Sequence, residues 1–134
     1  MSGLTLDAGA LIAVERNDRK VVALLARALE VRYSLAVPAG VVAQVWRDGR
    51  RQVRLARLLA SEQIEIEPLD DQRAREAGQL CGVMGVADVI DASVVLCARR
   101  RGHRIVSSDP ADIRRLDPTV PVITPAEPAA SLVR

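Results

Sequence analysis

Apolar residues recur along this chain in two alternating patterns: short runs typical of buried strands, and longer stretches with a period near 3.6 residues. The short runs predict five strands, at Leu4–Leu6, Ser34–Val37, Ile64–Glu67, Arg104–Ser107 and Val120–Ile123. The periodic stretches predict helices that begin near Ala10 and Asp18, and helices over Val41–Trp46, Arg50–Ser61, Asp70–Val83, Asp88–Arg101 and Asp112–Leu116. Strands that alternate with helices favour a single α/β domain over residues 1–134, with a short, mostly parallel sheet of about five strands flanked by helices.

Capping and turn residues set the expected limits of several elements. Asp18 is a suitable N-cap for the second helix, and Pro38 is tolerated in the first turn of the third. Ile64–Glu67 alternates apolar with acidic residues, which predicts a half-buried strand at an edge of the sheet. Gly102 ends the long helix before it, and we expect an irregular, proline-rich tail from about residue 124.

Composition narrows the range of functions. Apolar residues make up 49% of the chain, which argues for a folded core, but Tyr33 and Trp46 are its only aromatic residues. Recognition of RNA by stacking bases on exposed rings is therefore not expected. The formal net charge is only +2, and Lys20 is the only basic residue that is not an arginine. Arginine suits phosphates and carboxylates, although a GC-rich genome would give the same bias.

The cysteines and the apolar runs indicate the cellular compartment in which we expect the protein. Cys81 and Cys97 lie in apolar helical stretches without the spacing of metal ligands, so we expect buried, reduced thiols. No apolar run reaches the roughly 18–20 residues of a membrane span, and no signal peptide is evident. The sequence thus predicts a soluble cytoplasmic protein.

Four aspartates occupy places where the predicted fold would bring them together. Asp7 ends the first strand and Asp109 follows the fourth, while Asp88 and Asp91 lie on one face of the helix before that strand. Any one of them alone is more simply a turn or capping residue. Together they predict a magnesium site, because carboxylates among Val, Ile and Leu are costly to bury without compensation. Mg²⁺ needs only one or two carboxylates, with waters and substrate oxygens as its other ligands.

Three segments resemble the pattern of the PIN-domain family, and in particular of the VapC-type toxins of bacterial toxin–antitoxin pairs. They are LDAGALIA at Leu6–Ala13, DASVVLCA at Asp91–Ala98 and IVSSDPADI at Ile105–Ile113. In that pattern an aspartate closes the first strand, a second begins an Ala-rich helix, and a Ser/Thr-x-Asp motif follows. Asp109 comes eighteen residues after Asp91, and Ser107 takes the hydroxyl position. The resemblance covers essentially the whole chain and implies a PIN-like three-layer fold.

The resemblance also implies an activity, a cofactor and partners. Asp7, Asp91 and Asp109 would hold one or two Mg²⁺ (or Mn²⁺) ions, and an activated water would attack a phosphodiester of single-stranded or loop RNA. The 3′-hydroxyl would be the leaving group. Ser107 would orient a carboxylate or a water, unless its hydroxyl only bonds the backbone at the strand end. Members of the family are typically homodimers that a small antitoxin protein inhibits by covering the site.

One position departs from the family pattern. Gln44 stands where the pattern expects a glutamate, and its amide offers an oxygen but no charge. A unit charge lost about 4 Å from a metal is worth several kcal/mol at an effective dielectric near 20, so we expect Gln44 to limit the activity. Glu15 or Asp88 would be alternative sources of the missing charge. Asp88 is either an extra metal ligand or, more simply, the N-cap, and Asp112 suits the first turn of its helix.

Two groups of arginines are candidates for contacts with RNA. A basic stripe with a spacing of three to four residues follows Gln44 and comprises Arg47, Arg50 or Arg51, Arg54 and Arg57. From it we expect Arg47, Arg51 and Arg54 to contact phosphates. The second group comprises Arg99, Arg100, Arg101 and Arg104. A solvated helix face is the simpler explanation for both groups, and a grip on phosphates is the alternative, which would make affinity fall steeply with salt.

Other proteins with acidic residues at strand ends fit this sequence less well. A response-regulator receiver domain needs a lysine after a late strand, and Lys20 comes too early. A haloacid-dehalogenase phosphatase needs a second aspartate two residues after the first, where this chain has Gly9. Because of Gln44, the alternative that remains is a PIN-fold protein that binds RNA or an antitoxin with little cleavage.

Overall fold

The computed structural model describes residues 2–125 and 132–133, which form a parallel sheet flanked by helices. The strands are β1 (Gly3–Leu6), β2 (Ser34–Pro38), β3 (Ile64–Glu67), β4 (Arg104–Val106) and β5 (Val122–Ile123). The helices are α1 (Ala8–Glu15), α2 (Arg19–Glu30), α3 (Ala39–Val45), α4 (Val53–Leu59), α5 (Asp71–Met84), α6 (Val89–Arg101) and α7 (Pro110–Leu116). The sheet order is β3–β2–β1–β4–β5 and every pair is parallel, which confirms the predicted α/β fold.

β1 lies at the centre of the sheet, and all four of its residues are buried. It pairs with β2 on one side and with β4 on the other, where Leu6 lies opposite Val106. The residues that follow β1 and β4 therefore lie side by side at the carboxyl edge of the sheet. This is the edge at which open parallel sheets bind their ligands.

α6 is the helix most closely built into the core. It contacts β1, β2 and β4, and its buried residues are Ala92, Ser93, Val94, Val95, Cys97 and Ala98. The sheet supplies fully buried side chains such as Leu4, Leu35 and Ile105. Because α6 is fixed along this much of its length, the residues of its first turn have a fixed place beside the sheet edge.

Caps limit the helices much as the sequence predicts. Asp18, Asp70 and Asp88 each accept hydrogen bonds from backbone N–H groups in the first turn of the helix that follows them. Gly85 and Gly102 end α5 and α6 with φ of +66° and +65°, the left-handed conformation that glycine adopts without strain. β3 is an edge strand, as expected.

Several predicted boundaries differ in the structure, among them those at two prolines. Pro38 is the last residue of β2 and the N-cap of α3, so it precedes the first turn of that helix instead of lying within it. The last strand contains only Val122 and Ile123. Pro121 has no N–H to donate to a strand ladder, although its carbonyl still accepts a hydrogen bond from Ile105 at 2.9 Å.

α4 begins at Val53 and not at Arg50, because a buried glutamine organises the turn before it. The Gln52 side chain accepts hydrogen bonds from the N–H groups of Arg47 at 2.8 Å and Asp48 at 3.0 Å. Its amide nitrogen donates to the carbonyl of Val45 at 2.8 Å. The sequence pattern did not mark Gln52, since a polar residue before an amphipathic helix usually faces solvent.

The predicted tail lies partly outside the described residues, which do not include 126–131 and 134. Leu132 is fully buried in the core, and the Tyr33 hydroxyl donates a hydrogen bond to the carbonyl of Val133. Cys81 and Cys97 are free and buried, as predicted. Among the described residues no single helix meets the length and hydropathy needed to span a membrane; only α5 and α6 taken together do, and they are bent by 108°.

Candidate active site

Asp7 stands at the middle of the carboxyl edge of the sheet. It follows the central strand and caps α1, with its Oδ1 accepting a hydrogen bond from the N–H of Ala10 at 2.9 Å. Its side chain is only 7% exposed. The hydrogen bond from the backbone fixes the position of this carboxylate, and burial leaves it very little contact with water.

Ser107 connects Asp7 to Asp109. Ser107 follows β4 and is fully buried, and its hydroxyl lowers the pKa of the nearby Asp7 carboxyl. Its hydroxyl oxygen accepts a hydrogen bond from the N–H of Asp109 at 3.0 Å. The hydroxyl thus bonds the backbone at the strand end, which is the simpler of its two suggested roles. Asp109 precedes α7, and its side chain makes no capping hydrogen bond, so its carboxylate stays available.

Asp88 and Asp91 bring two more carboxylates to the same edge on the first turn of α6. Asp88 is the N-cap, and its Oδ1 accepts hydrogen bonds from the N–H groups of Ile90 at 3.1 Å and Asp91 at 2.9 Å. This is the simpler of its two predicted roles. Asp112, in the first turn of α7 as expected, forms an ion pair with Arg115 at 3.4 Å.

Burial and neighbouring carboxylates raise the pKa of two of these acids, Asp7 and Asp91. Burial raises the pKa of Asp7, and the charge of Asp109 adds to this, so that hydrogen bonds from Ser107 and the backbone offset only part of the rise. The pKa of Asp91 is raised to about 7 by burial first and then by the charges of Asp88 and Asp7, with a smaller contribution from Asp112. Carboxylates from three segments of the chain therefore repel one another at this edge, and a bound cation would reduce that repulsion.

The oxygen-only set of donors fits a hard divalent cation better than zinc or copper. Within residues 2–125 and 132–133, however, no three His, Cys, Asp or Glu side chains converge closely enough to hold an ion by themselves. Joint ligation of one ion by Asp7, Asp91 and Asp109 is therefore not preformed by the side chains. An open arrangement still suits Mg²⁺, which keeps several waters and contacts few carboxylates directly.

Comparison with known proteins identifies the family. The PIN domain family model matches residues 4–117. The chain belongs to the PIN domain family. No curated protein matches it significantly. The fold is thus that of a PIN domain, as the sequence motifs suggest.

Several solved structures share the fold of this PIN domain. A chain of VapBC2 from Rickettsia felis, crystallised with a DNA fragment from their promoter, is 14% identical with a TM-score of 0.69, and the match covers 92% of this chain and 98% of that chain. A chain of DNA-bound VapBC from Salmonella typhimurium is 14% identical, with a TM-score of 0.68 and coverage of 94% and 100%. A chain of FitAcB from Neisseria gonorrhoeae is 18% identical, with a TM-score of 0.62 and coverage of 91% and 97%.

Gln44 lies on α3, which packs against α6 near its first turn. A Cβ at Gly40 would lie 2.5 Å from the Ile90 side chain, so the two helices approach closely there. Gln44 comes one turn after Gly40, on the same face, and its side chain is exposed.

Glu15 is the last residue of α1, about 12 Å along the helix axis from Asp7. Of the two suggested sources of the missing charge, only Asp88 is therefore beside the site.

The predicted stripe of arginines is not the face of one helix. Arg47, Arg50 and Arg51 belong to the turn before α4, and only Arg54 and Arg57 lie on the helix itself. The Arg47 guanidinium bends back to the carbonyls of Trp46 at 2.7 Å and Ala43 at 3.2 Å.

Most of the second arginine group is engaged in ion pairs, although Arg99 and Arg100 remain exposed to solvent. Arg99 contacts Asp117 at 2.8 Å. Arg100 contacts Glu67 at 2.7 Å, and Arg101 contacts Glu65 at 2.8 Å. Their partners come from β3 and from the loop after α7, which the local sequence around the arginines does not reveal.

Proposed function

We propose that this PIN domain is a Mg²⁺-dependent (or Mn²⁺-dependent) endoribonuclease that cleaves single-stranded or loop RNA and acts as a VapC-type toxin. The observation that supports the proposal is that Asp7, Asp91 and Asp109 come from neighbouring elements at the carboxyl edge of the sheet, and that the pKa values of Asp7 and Asp91 are raised there. Carboxylates that are costly to keep ionised without a cation are what a divalent-metal site requires.

Each residue at the edge has a role in this proposal. Asp7, Asp91 and Asp109 hold the metal, and Ser107 positions Asp7 through its hydroxyl. Asp88 caps α6 and adds negative charge beside Asp91. Gln44 offers an amide oxygen at the rim. A bound divalent cation would supply the charge that activates a water and stabilises the leaving oxygen of a phosphodiester.

The partners belong to the same proposal. Structures that share the fold are VapBC and FitAB complexes, several of them bound to DNA fragments. We therefore expect a cognate antitoxin protein that covers the acids, a homodimeric toxin and a cytoplasmic location. Co-expression with the gene beside it in the genome, followed by purification of a stable complex, would test the antitoxin.

Digestion of total RNA tests the activity directly. Purified protein should produce new RNA ends with Mg²⁺ and none with EDTA, and mapping of those ends would identify the RNA and the cleavage site. Asp91→Asn should abolish the cleavage, whereas Glu62→Gln, which removes an exposed carboxylate elsewhere, should not. A folded Asp91→Asn variant with full activity would refute the assignment of this acid.

Gln44 favours a second candidate, a PIN domain that binds RNA or an antitoxin and cleaves little. The amide brings no charge to a site whose carboxylates do not form a complete metal site among the described residues. The same digestion separates the two functions, since a binding protein would shift RNA in a gel at every Mg²⁺ concentration without producing new ends.

A further inference from the structure

A groove lined by arginines lies at the end of α1 that is remote from Asp7. Its volume is about 330 Å³, and its lining residues are Glu15, Arg51, Gln52, Val53, Arg54 and Arg57. We call it the arginine groove. α1 has Asp7 as its N-cap and Glu15 as its last residue, so the helix connects the acids to the groove over about 12 Å.

The groove is a built feature of the fold. α4 packs directly against α1, and Arg54 donates a hydrogen bond to the backbone carbonyl of Glu15 at 3.5 Å. That carbonyl belongs to the last turn of α1, where a cation is favourable for the helix dipole. On the other wall, buried Gln52 fixes the turn that presents Arg51. The fold therefore fixes the backbone positions of Arg51 and Arg54 in the groove.

The guanidinium groups of the groove are free to bind an anion. Among the described residues, Arg54 and Arg57 form no ion pair with an acid, and Arg51 is 90% exposed with its nearest carboxylate, that of Asp48, 4.0 Å away. Arg99, Arg100 and Arg101, by contrast, are held by carboxylates at 2.7–2.8 Å. Arg54 and Arg57 therefore bring positive charge to this groove that no carboxylate among the described residues compensates.

We propose that the arginine groove binds phosphates of the RNA strand a short distance from the phosphate that is cleaved. The acids at the other end of α1 repel a polyanion, so a substrate needs positive charge nearby to approach them. Exposed arginine forks match phosphate oxygens without reading the base. An acidic peptide would also fit the arginines, but a strand that runs along α1 explains why groove and acids share one helix.

This inference rests on the proposed nuclease function, and its test is a binding measurement that needs no cleavage. The probe is a fluorescently labelled single-stranded oligoribonucleotide of about a dozen nucleotides, titrated with the full chain in EDTA at several salt concentrations. The groove variant combines Arg51→Gln, Arg54→Gln and Arg57→Gln. Its control removes the same charge elsewhere with Arg27→Gln, Arg32→Gln and Arg75→Gln.

The groove variant should bind the RNA more weakly and with less dependence on salt. Each lost phosphate contact on a single strand flattens the slope of log affinity against log salt by about 0.7, so three contacts amount to about two units, or about 100-fold per tenfold change in salt. The control should keep the slope of the starting protein. All six arginines lie outside the core, and circular dichroism would verify that both variants fold.

A single substitution that removes a negative charge from the groove provides a second test, with the opposite expected effect on RNA binding. Glu15 is the only carboxylate among the described residues that lines the groove, and Glu15→Gln should tighten RNA binding several-fold because the repulsion of the phosphates is removed. An unchanged slope in the groove variant, or an equal loss in the control, would overturn the proposal. So would loss of binding to an oligoglutamate peptide with RNA binding intact, which would make the groove a docking site for an acidic protein.

The two proposals fail in different ways. If the chain never cleaves RNA with Mg²⁺ but the groove variant still loses affinity, the nuclease assignment is wrong and the groove is an RNA site of a binding protein. If cleavage occurs and affinity does not depend on the groove, the nuclease stands and the groove assignment is wrong.

Discussion

Asp91→Asn should make the metal-free protein more stable at alkaline pH, although it removes a residue of the proposed active site. In the fold the pKa of Asp91 is raised from 3.8 to about 7, by burial first and then by Asp88 and Asp7. A carboxyl whose folded pKa is raised contributes stability that is fully present below its unfolded pKa. That stability is lost as the pH rises from about 4 through about 7, because the folded state must then carry the buried charge.

The expected magnitude follows from this pKa. For an isolated group, a rise from 3.8 to about 7 corresponds to about 4 kcal/mol. Asp91 is partly exposed and its raised pKa depends in part on the charge of Asp88, so solvent screening and this interaction reduce the effect. We expect a gain of about 1–2 kcal/mol in the free energy of unfolding for Asp91→Asn at pH 8. In a chain of this size this is about 4–8 °C in Tm.

Thermal unfolding at pH 5 and pH 8, in EDTA and in Mg²⁺, measures the effect. In EDTA the gain should be present at pH 8 and much smaller at pH 5. Mg²⁺ should raise the Tm of the starting protein and leave that of the variant nearly unchanged, since a ligand stabilises only the state that binds it. Glu62→Gln, which removes an exposed carboxylate, should do neither. A metal-free Asp91→Asn variant less stable at pH 8 than the starting protein would refute this reasoning.

Two further predictions concern Gln44 and a buried histidine. Gln44→Glu should raise the cleavage rate at low Mg²⁺ and Gln44→Ala should lower it; if Glu brings no gain and Ala is harmless, Gln44 lies outside the metal network. The His103 ring lies 3.1 Å from the Thr5 hydroxyl and 3.2 Å from that of Ser34, and burial, followed by the charge of Arg101, lowers its pKa below 6.5. The neutral His103 ring therefore contributes stability above pH 6.5, and this stability is lost as the pH falls through the pKa of the ring in the folded protein. In urea-unfolding experiments, His103→Gln should therefore make the free energy of unfolding fall less steeply on the acid side of its pH profile. An unchanged acid side would assign that loss of stability to the carboxylates.

The acids could be predicted because their positions depend on local rules. A residue directly after a parallel strand lies at the carboxyl edge, and an aspartate before an apolar helix caps it. Asp7, Asp109 and Asp88 are all placed by such rules, and the register of Leu6 with Val106 brings the first two together. What the sequence does not define is how far the carboxylates converge, since that depends on side-chain angles and on the packing of α6.

The arginines show the opposite case, because their roles depend on partners distant in the sequence. Arg100 reaches Glu67 across 33 positions and Arg101 reaches Glu65 across 36, so no local pattern marks them as paired. The helical spacing of the stripe after Gln44 suggested a helix face, with a helix predicted from Arg50. Buried Gln52 interrupts that helix, and the turn it forms moves Arg47 and Arg51 off the common face.

α6 carries acidic residues at one end and arginines at the other, and it connects the acids of the site to the rest of the fold. Asp88 and Asp91 lie at its N-terminus, where negative charge is favourable for the helix dipole, and three arginines lie at its C-terminus, where positive charge is favourable. This arrangement offsets part of the repulsion among the carboxylates in the metal-free protein. The ion pairs of Arg99, Arg100 and Arg101 also hold the far end of the helix against α5, β3 and the loop after α7. These arginines therefore stabilise the site through the fold, whereas Arg54 and Arg57 of the arginine groove form no ion pair among the described residues and are available for the proposed contact with the substrate.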